Sequence, residues 1–260
     1  SLCYMSFVFS GSWFVWRHDL SAFDIIYVWQ VSPVTMAIPA IKVKKRYGIP
    51  LFLYCLDIWP ECIKAMGFKE KPLFFKIIKR LSGKIYRGCD HIAVTSRPFF
   101  DYLEEVHGID RDKMSYLPQY ASSAMLERNF RKTPNGHTDF LYIGNVGKAQ
   151  DMDCFVKAIA LLKNRNDVTF HIIGGGSNLE ETKSLAKNTG ADKIMIFYGH
   201  LPFDDAINYY KIADACVVTL AGDNRIGDTL PGKLQTYMAA GKPIIGAMNG
   251  AGQEVIRESK

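Results

Sequence analysis

Apolar residues follow two alternating rhythms along this chain. Short continuous runs at 23–29, 51–56, 90–95 and 113–118 read as buried strands. Between them lie stretches with apolar positions three or four apart: a helical stretch ending near Arg46, a basic one at 64–87 and a third at 99–107. The second half restarts the pattern, with strands at 139–144, 168–173, 194–198 and 215–220 and helices at 152–164, 178–189 and 204–212. The series closes in the segment from Leu230 to Gly246. There Pro231 suits the first turn of a helix, Gly241 a left-handed helix end, and Ile244 and Ile245 a short buried strand.

Strand–helix alternation at this spacing predicts parallel sheets with helices on both faces. Residues 1–120 form one such unit and 138–260 a second. The segment 121–137, with Ser122, Ser123 and Arg131–Lys132–Thr133–Pro134–Asn135–Gly136, lacks apolar periodicity and reads as the linker. Two units of this kind facing a cleft would place a ligand there.

Charge adds one feature to this outline. The net charge is +6, and residues 64–87 alone hold Lys64, Lys69, Lys71, Lys76, Lys79, Arg80, Lys84 and Arg87 against the single acid Glu70. In the same segment Leu73, Phe74, Ile77, Ile78, Leu81 and Ile85 recur at helical spacing. A basic amphipathic helix fits an anionic membrane surface, with Lys71, Phe74, Lys76, Ile77, Lys79, Arg80 and Lys84 as the contacts. A core helix with one solvated charged face is the alternative. Nucleic acid is disfavoured, because the cations interleave with aliphatics and not with stacking aromatics. The apolar run at 2–16 is interrupted by Ser6, Ser10, Gly11 and Ser12 and is shorter than the roughly 20 residues of a spanning helix. Six scattered cysteines without a C-x-x-C pair or a histidine cluster predict neither zinc nor disulfides, and a reducing compartment.

The chemistry has to come from loops at strand ends. In Tyr142–Ile143–Gly144–Asn145–Val146–Gly147–Lys148, the glycines would let the backbone approach a diphosphate and Lys148 could meet its charge. A plain strand-to-helix turn reads equally from the same residues. Gly174–Gly175–Gly176 after the next strand is a similar, weaker signal, and Gly199–His200 lies on a third strand-end loop. The start of the helix after Pro231, preceded by Gly227–Asp228–Thr229, would offer free N–H groups to a phosphate. In Asp57–Ile58–Trp59–Pro60–Glu61 two carboxylates flank a tryptophan, suited to sugar hydroxyls or to acid–base work, or to a surface turn that opens a helix.

In this order the motifs Asp57 to Glu61, Gly144 to Gln150, Ile173 to Gly176, Tyr198 to Pro202, Ala213 to Ala215 and Leu230 to Gly246 resemble the family 4 glycosyltransferases. The resemblance is to the bacterial branch that builds capsule, exopolysaccharide or O-antigen repeats. It implies a GT-B-like fold of two Rossmann-like, doubly wound parallel-sheet domains facing a cleft. Both would be incomplete, with the family's opening strand before Ser1 and its closing helices after Lys260. It further implies retaining transfer of a sugar from a nucleotide-diphosphate sugar, a UDP-sugar, to a polyprenyl-diphosphate-linked saccharide, without metal or other cofactor, at the cytoplasmic face of the plasma membrane.

Donor contacts carried over are Gly144, Gly147, Lys148, Gly174, Gly199, His200, Asp228, Thr229, Leu230, Lys233 and Thr236, with Asp57, Glu61, Lys148 and Asp228 as the catalytic set. Asp228 and Thr236 stand where the family commonly has two glutamates, and Thr236 offers only a hydroxyl to the ribose. A non-catalytic nucleotide-sugar-binding or partner subunit is therefore the alternative function, and a basic module that docks on anionic surfaces a third.

Overall fold

The structure is a computed structural model, and it describes residues 2–65, 72–222 and 225–259. The chain divides into two compact units, Ser1–Pro118 and Gln119–Lys260. In the first, the elements run α1 (Leu2–Arg17), β1 (Ile26–Gln30), α2 (Ile38–Tyr47), β2 (Leu51–Cys55), α3 (Glu61–Ala65), α4 (Pro72–Arg87), β3 (His91–Val94), α5 (Pro98–His107) and β4 (Met114–Tyr116). The four strands pair in parallel in the order β1-β2-β3-β4.

Leu51, Leu53 and Cys55 on β2, with Ile92 and Val94 on β3, point into a core closed by Ile85 and Tyr86 of α4 and Phe99, Tyr102 and Leu103 of α5. The opposite face carries a row of aromatic rings: Tyr27 stacks on Phe52 at 5.8 Å, and Phe52 on His91 at 5.6 Å. The interrupted apolar run at the start of the chain is a helix packed on α2, and Arg46 of α2 donates to the Val15 and Trp16 carbonyls that end it. Among the described residues no helix is long and apolar enough to cross a membrane.

The second unit runs α6 (Ser123–Leu126), β5 (Thr138–Ile143), α7 (Met152–Ala160), β6 (Val168–Ile173), α8 (Leu179–Thr189), β7 (Met195–Gly199), α9 (Phe203–Ala206), β8 (Ala215–Thr219), α10 (Gly232–Ala239), β9 (Ile244–Ala247) and α11 (Ala251–Glu258). Its five parallel strands are ordered β7-β6-β5-β8-β9, so the order reverses between β5 and β8. The central strands β5, β6 and β8 bury both faces, whereas the edge strand β9, expected to be buried, leaves Ile245 49% exposed. Leu141, Ile173, Cys216 and Val218 enter one core, while their neighbours Tyr142, Ile172 and Val217 enter the other. That is why they read as unbroken apolar runs and not as alternation.

Residues 121–137, expected to be a linker, are packed onto the second unit. Met125 and Phe130 are buried in the core that holds Leu234 and Tyr237. Lys132 Nζ donates to the His137 carbonyl and to the carboxylates of Asp139 and Asp214, which ties the segment to the foot of β5. Its apolar residues show no period, yet Met125 and Phe130 each enter the core while Leu126 stays exposed. The boundary between the units accordingly falls after Pro118.

Candidate functional site

In an open parallel sheet the crevice for a ligand opens at the carboxyl ends of the strands, where the strand order reverses. In the second unit that point lies between β5 and β8, and the loop after β5 runs into it. Gly144 N–H donates to Ile173 O at 2.9 Å and Val146 N–H to Gly175 O at 2.8 Å, so the loops after β5 and β6 are bonded to each other. A Cβ on residue 174 would lie 1.9 Å from Gly144 O, and one on residue 176 would lie 2.3 Å from Val146 O. The triple glycine therefore lets two loops touch, which explains Gly174 without any ligand.

Gly147 also has a protein partner. Its N–H donates to Gln150 Oε1 at 3.0 Å, and Gln150 accepts from Asn145 Nδ2 as well. The Gly144 and Gly147 amides thus both donate within the protein. Lys148, beside them, is exposed. The loop is tied to β8 through Thr219 Oγ1, which donates to Gln150 O, and Ala221 N–H, which donates to Ala149 O at 2.9 Å.

Gly144, Gly174 and His200 line one groove of about 540 Å³ at the carboxyl ends of β5, β6 and β7, together with Asn145, Leu201 and Phe203. Gly199 ends β7 with φ +69°, and nothing stands within 4 Å of where its Cβ would be. It turns the chain so that exposed His200 reaches the groove rim.

Lys233, expected among the donor contacts, lies in the first turn of α10. Its side chain crosses to the loop after β5, where the missing Cβ of Gly144 would stand 3.0 Å from Nζ. The Nζ is shut off from solvent and makes no hydrogen bond. It sits 3.9 Å from the centroid of the Tyr142 ring. Burial alone pulls the amine down from 10.5 to about 7. Gly144 is thus the space that admits Lys233. Tyr142, which opens the motif in the sequence, donates its hydroxyl to Asn145 O at 2.6 Å and orients the loop.

Around the start of α10, Pro231 precedes the helix, and the first backbone bond runs from Leu234 N–H to Pro231 O. The N–H groups of Gly232 and Lys233 precede that bond, where a helix has no partners of its own. Leu230 is buried in the core. Thr229 and Thr236 are partly exposed on either side, and Asp228 lies 3.6 Å from Arg225 Nε.

The carboxylates of the first unit belong to a different set. Asp57 Oδ2 accepts from Ser32 Oγ at 2.7 Å, and the Asp57 carbonyl accepts from Gln30 Nε2 at 3.1 Å. Glu61 Oε1 accepts from Tyr102 OH at 3.4 Å. Trp59 between them is buried, with its carbonyl receiving Tyr102 OH and His107 Nε2 at 2.8 Å. Burial holds His107 down at about 4, so it is neutral at ordinary pH. The turn is knitted into its own unit, with both carboxylates half-buried at the end of β2.

The basic helix divides its apolar residues. Ile85 and Tyr86 face the core, with Phe75 and Ile78 packed against it, whereas Leu73 is 73% exposed, Ile77 58% and Phe74 48%. Lys76, Lys79, Arg80 and Lys84 stand exposed among them. Lys71 lies outside the described residues. Among the described residues there is no group of three His, Cys, Asp or Glu side chains that could hold a metal.

Residues 137–260 match the family model described as "Glycosyl transferases group 1". Over 219 residues the chain is 26% identical to the probable glycosyltransferase WbjE of Pseudomonas aeruginosa, which covers 81% of this chain and 54% of that protein. It is 21% identical to the putative colanic acid biosynthesis glycosyl transferase WcaI of Escherichia coli K12, again over 81% of the chain and 54% of the relative. The chain thus spans about half the length of these curated relatives. Among solved structures, Anabaena HepE in complex with UDP superposes with a TM-score of 0.70 at 13% identity, covering 94% of this chain and 65% of that one. Sucrose-phosphate synthase from Thermosynechococcus elongatus gives 0.71 at 15% identity, over 91% and 59%. The two parallel-sheet α/β units therefore share the fold of GT-B glycosyltransferases.

Proposed function

We propose that the second unit binds a nucleotide-diphosphate sugar, and that the protein transfers the sugar with retention to a lipid-linked saccharide in surface polysaccharide synthesis. The observation that carries the reading is Lys233, a buried amine without a hydrogen-bond partner where the loop after β5 meets the start of α10. A fold built for stability alone would leave an apolar side chain there. The match of residues 137–260 to a glycosyltransferase model, and a structural neighbour that holds UDP, support the same class of ligand.

On this reading the diphosphate lies over the first turn of α10. The N–H groups there and Lys233 meet it from below, and exposed Lys148 from the loop. The nucleoside occupies the groove of Gly144, Gly174 and His200. As the bond from the anomeric carbon to the diphosphate oxygen breaks, negative charge grows on that oxygen, and fixed donors and cations stabilise it. Thr236 supplies a hydroxyl to the ribose and Asp228 a carboxylate to the donor. No step calls for a metal. The outward face of α4 rests on an anionic membrane, which brings the protein to a polyprenyl-diphosphate acceptor on the cytoplasmic side.

The test is calorimetric titration of the chain with UDP and UDP-sugars, followed by transfer of radiolabelled sugar to membrane lipid. Saturable UDP binding that weakens at least tenfold in Lys148→Ala is expected. Absence of UDP binding, with the protein folded, would overturn the reading.

A further inference from the structure

We propose that above neutral pH Lys233 is uncharged while the site is empty and gains one proton when a diphosphate binds, so that the ligand creates its own counter-cation beneath it. The inference rests on the reading of this site as a nucleotide-diphosphate site and adds to it a coupling between ligand and proton.

A charged ammonium needs three acceptors or water, and Lys233 Nζ has neither. What it meets is the face of the Tyr142 ring at 3.9 Å and the space above Gly144. A ring face offers much less to a cation than the water lost on burial. Among the described residues, the titratable groups around it give no counter-charge. From β5, Tyr142 is kept protonated by burial, its hydroxyl donated to Asn145 O. From α10, Tyr237 is also kept protonated, its hydroxyl bonded to the backbone of Ile143. The loop after β5 adds Lys148, a like charge, and the segment before α10 adds Asp228, which has Arg225 at 3.6 Å. Burial is the cause acting on the amine among the described residues, and it brings half-protonation to about pH 7.

A diphosphate arriving at the first turn of α10 reverses the balance, because an opposite charge within about 4–6 Å favours the protonated amine. The sign follows from linkage. Above about pH 7 the empty protein has released this proton while the complex still holds it, so binding takes a proton from solvent. Affinity should then fall about tenfold for each pH unit above 7, until the amine of the complex itself begins to titrate. An always-charged lysine would give no such slope.

The experiment is titration of the chain with UDP between pH 7.5 and 9, in pairs of buffers that differ in ionisation enthalpy. The terminal phosphate, with a second ionisation near pH 6, contributes no proton in that range. Expected are uptake of about one proton at pH 8 and a Kd about tenfold weaker at pH 8.5 than at 7.5. Lys233→Met should remove both the uptake and the slope. NMR of the lysine side-chain amines in the wild-type chain gives a second readout, independent of that variant: the Lys233 midpoint should lie near 7 and rise when UDP is added. UDP binding with no uptake and no pH slope would overturn the inference and leave the site reading intact. So would uptake that persists in Lys233→Met. Failure of UDP to bind at any of these pH values would overturn both.

Discussion

The carbonyl oxygen of Gly144 occupies the place next to Gly174 where any side chain would begin, 1.9 Å from the Cβ position, with Gly174 held at φ +133°. The two strand-end loops that shape the groove are thus in register because residue 174 has no side chain. Gly174→Ala must push the loop after β5 away from its bonds to Ile173 and Gly175. A loss of at least about 2 kcal/mol is expected from overpacking and backbone strain together. Gly199→Ala is the control, since open space surrounds that position and only its φ of +69° is unfavourable, costing about 1 kcal/mol. Thermal melts of both variants check the contrast, and UDP affinity should fall with Gly174→Ala.

Lys132 and Asp139 form a second such pairing, at 2.8 Å with a tenth or less of either side chain exposed. His171 Nε2 reaches the other Asp139 oxygen at 2.8 Å, and Asp214 shares the lysine. These partners hold the Asp139 carboxyl below the usual range, against a desolvation that alone would raise it. Lys132→Met would leave that carboxylate to His171, at a cost of about 3 kcal/mol. Limited proteolysis reads the consequence directly: cleavage within 121–137 should appear in the variant under conditions where the native chain resists.

The contrast between this segment and the strands shows what a sequence carries. Strands that bury both faces, such as 168–173, announce themselves as continuous apolar runs, and loops that must touch announce themselves as glycines. Residues 121–137 give no such sign, because Met125 and Phe130 enter the core singly from an irregular path. The site was legible as a set of strand-end loops. The bonds between those loops were not, because they join residues near in space and are set by loop shape. Gln150 takes the Gly147 amide, Ile173 takes the Gly144 amide, and Lys233 fills the place of a missing methyl. That Lys233 is buried shows only when Gly144 is known to be its neighbour.

His107 makes the first unit sensitive to acid. Its folded value, about 4, lies below the ordinary 6.5 because the ring is buried against Trp59. In the window between those values the unfolded chain binds the extra proton. Stability is therefore full above about pH 6.5 and is lost as pH falls towards 4, by up to about 3 kcal/mol. Chemical denaturation at pH 7 and pH 4.5 should show the loss. His107→Phe should flatten it, because Tyr102 still donates to the Trp59 carbonyl.

Lys233 has the same linkage at higher pH. Its folded value near 7 lies below the unfolded 10.5, so the empty protein carries the full penalty below pH 7 and sheds it as pH rises to 10.5. Lys233→Met should then stabilise the ligand-free chain by a few kcal/mol at pH 6 to 7, on the order expected for a buried amine, and by progressively less towards pH 10. Denaturant melts across that range measure it. A gain independent of pH would mean that the amine is charged and paired throughout.

The outward face of α4 gives the last expectation. Leu73, Phe74 and Ile77 are too exposed to contribute much to the core, and the four cations beside them, Lys76, Lys79, Arg80 and Lys84, are exposed as well. Phe74→Glu with Ile77→Glu should leave the melting temperature within a degree or two, because neither side chain is buried. Replacing Lys76, Lys79 and Arg80 with Gln should cost about 1 kcal/mol of membrane affinity per charge, roughly a hundredfold together. Sedimentation with vesicles of phosphatidylglycerol and phosphatidylcholine separates the two contributions. The cation variant should lose the part of binding that added salt removes, and the glutamate variant should lose binding at every salt concentration. If both sediment like the native chain, α4 is a solvated face and the membrane contact lies elsewhere.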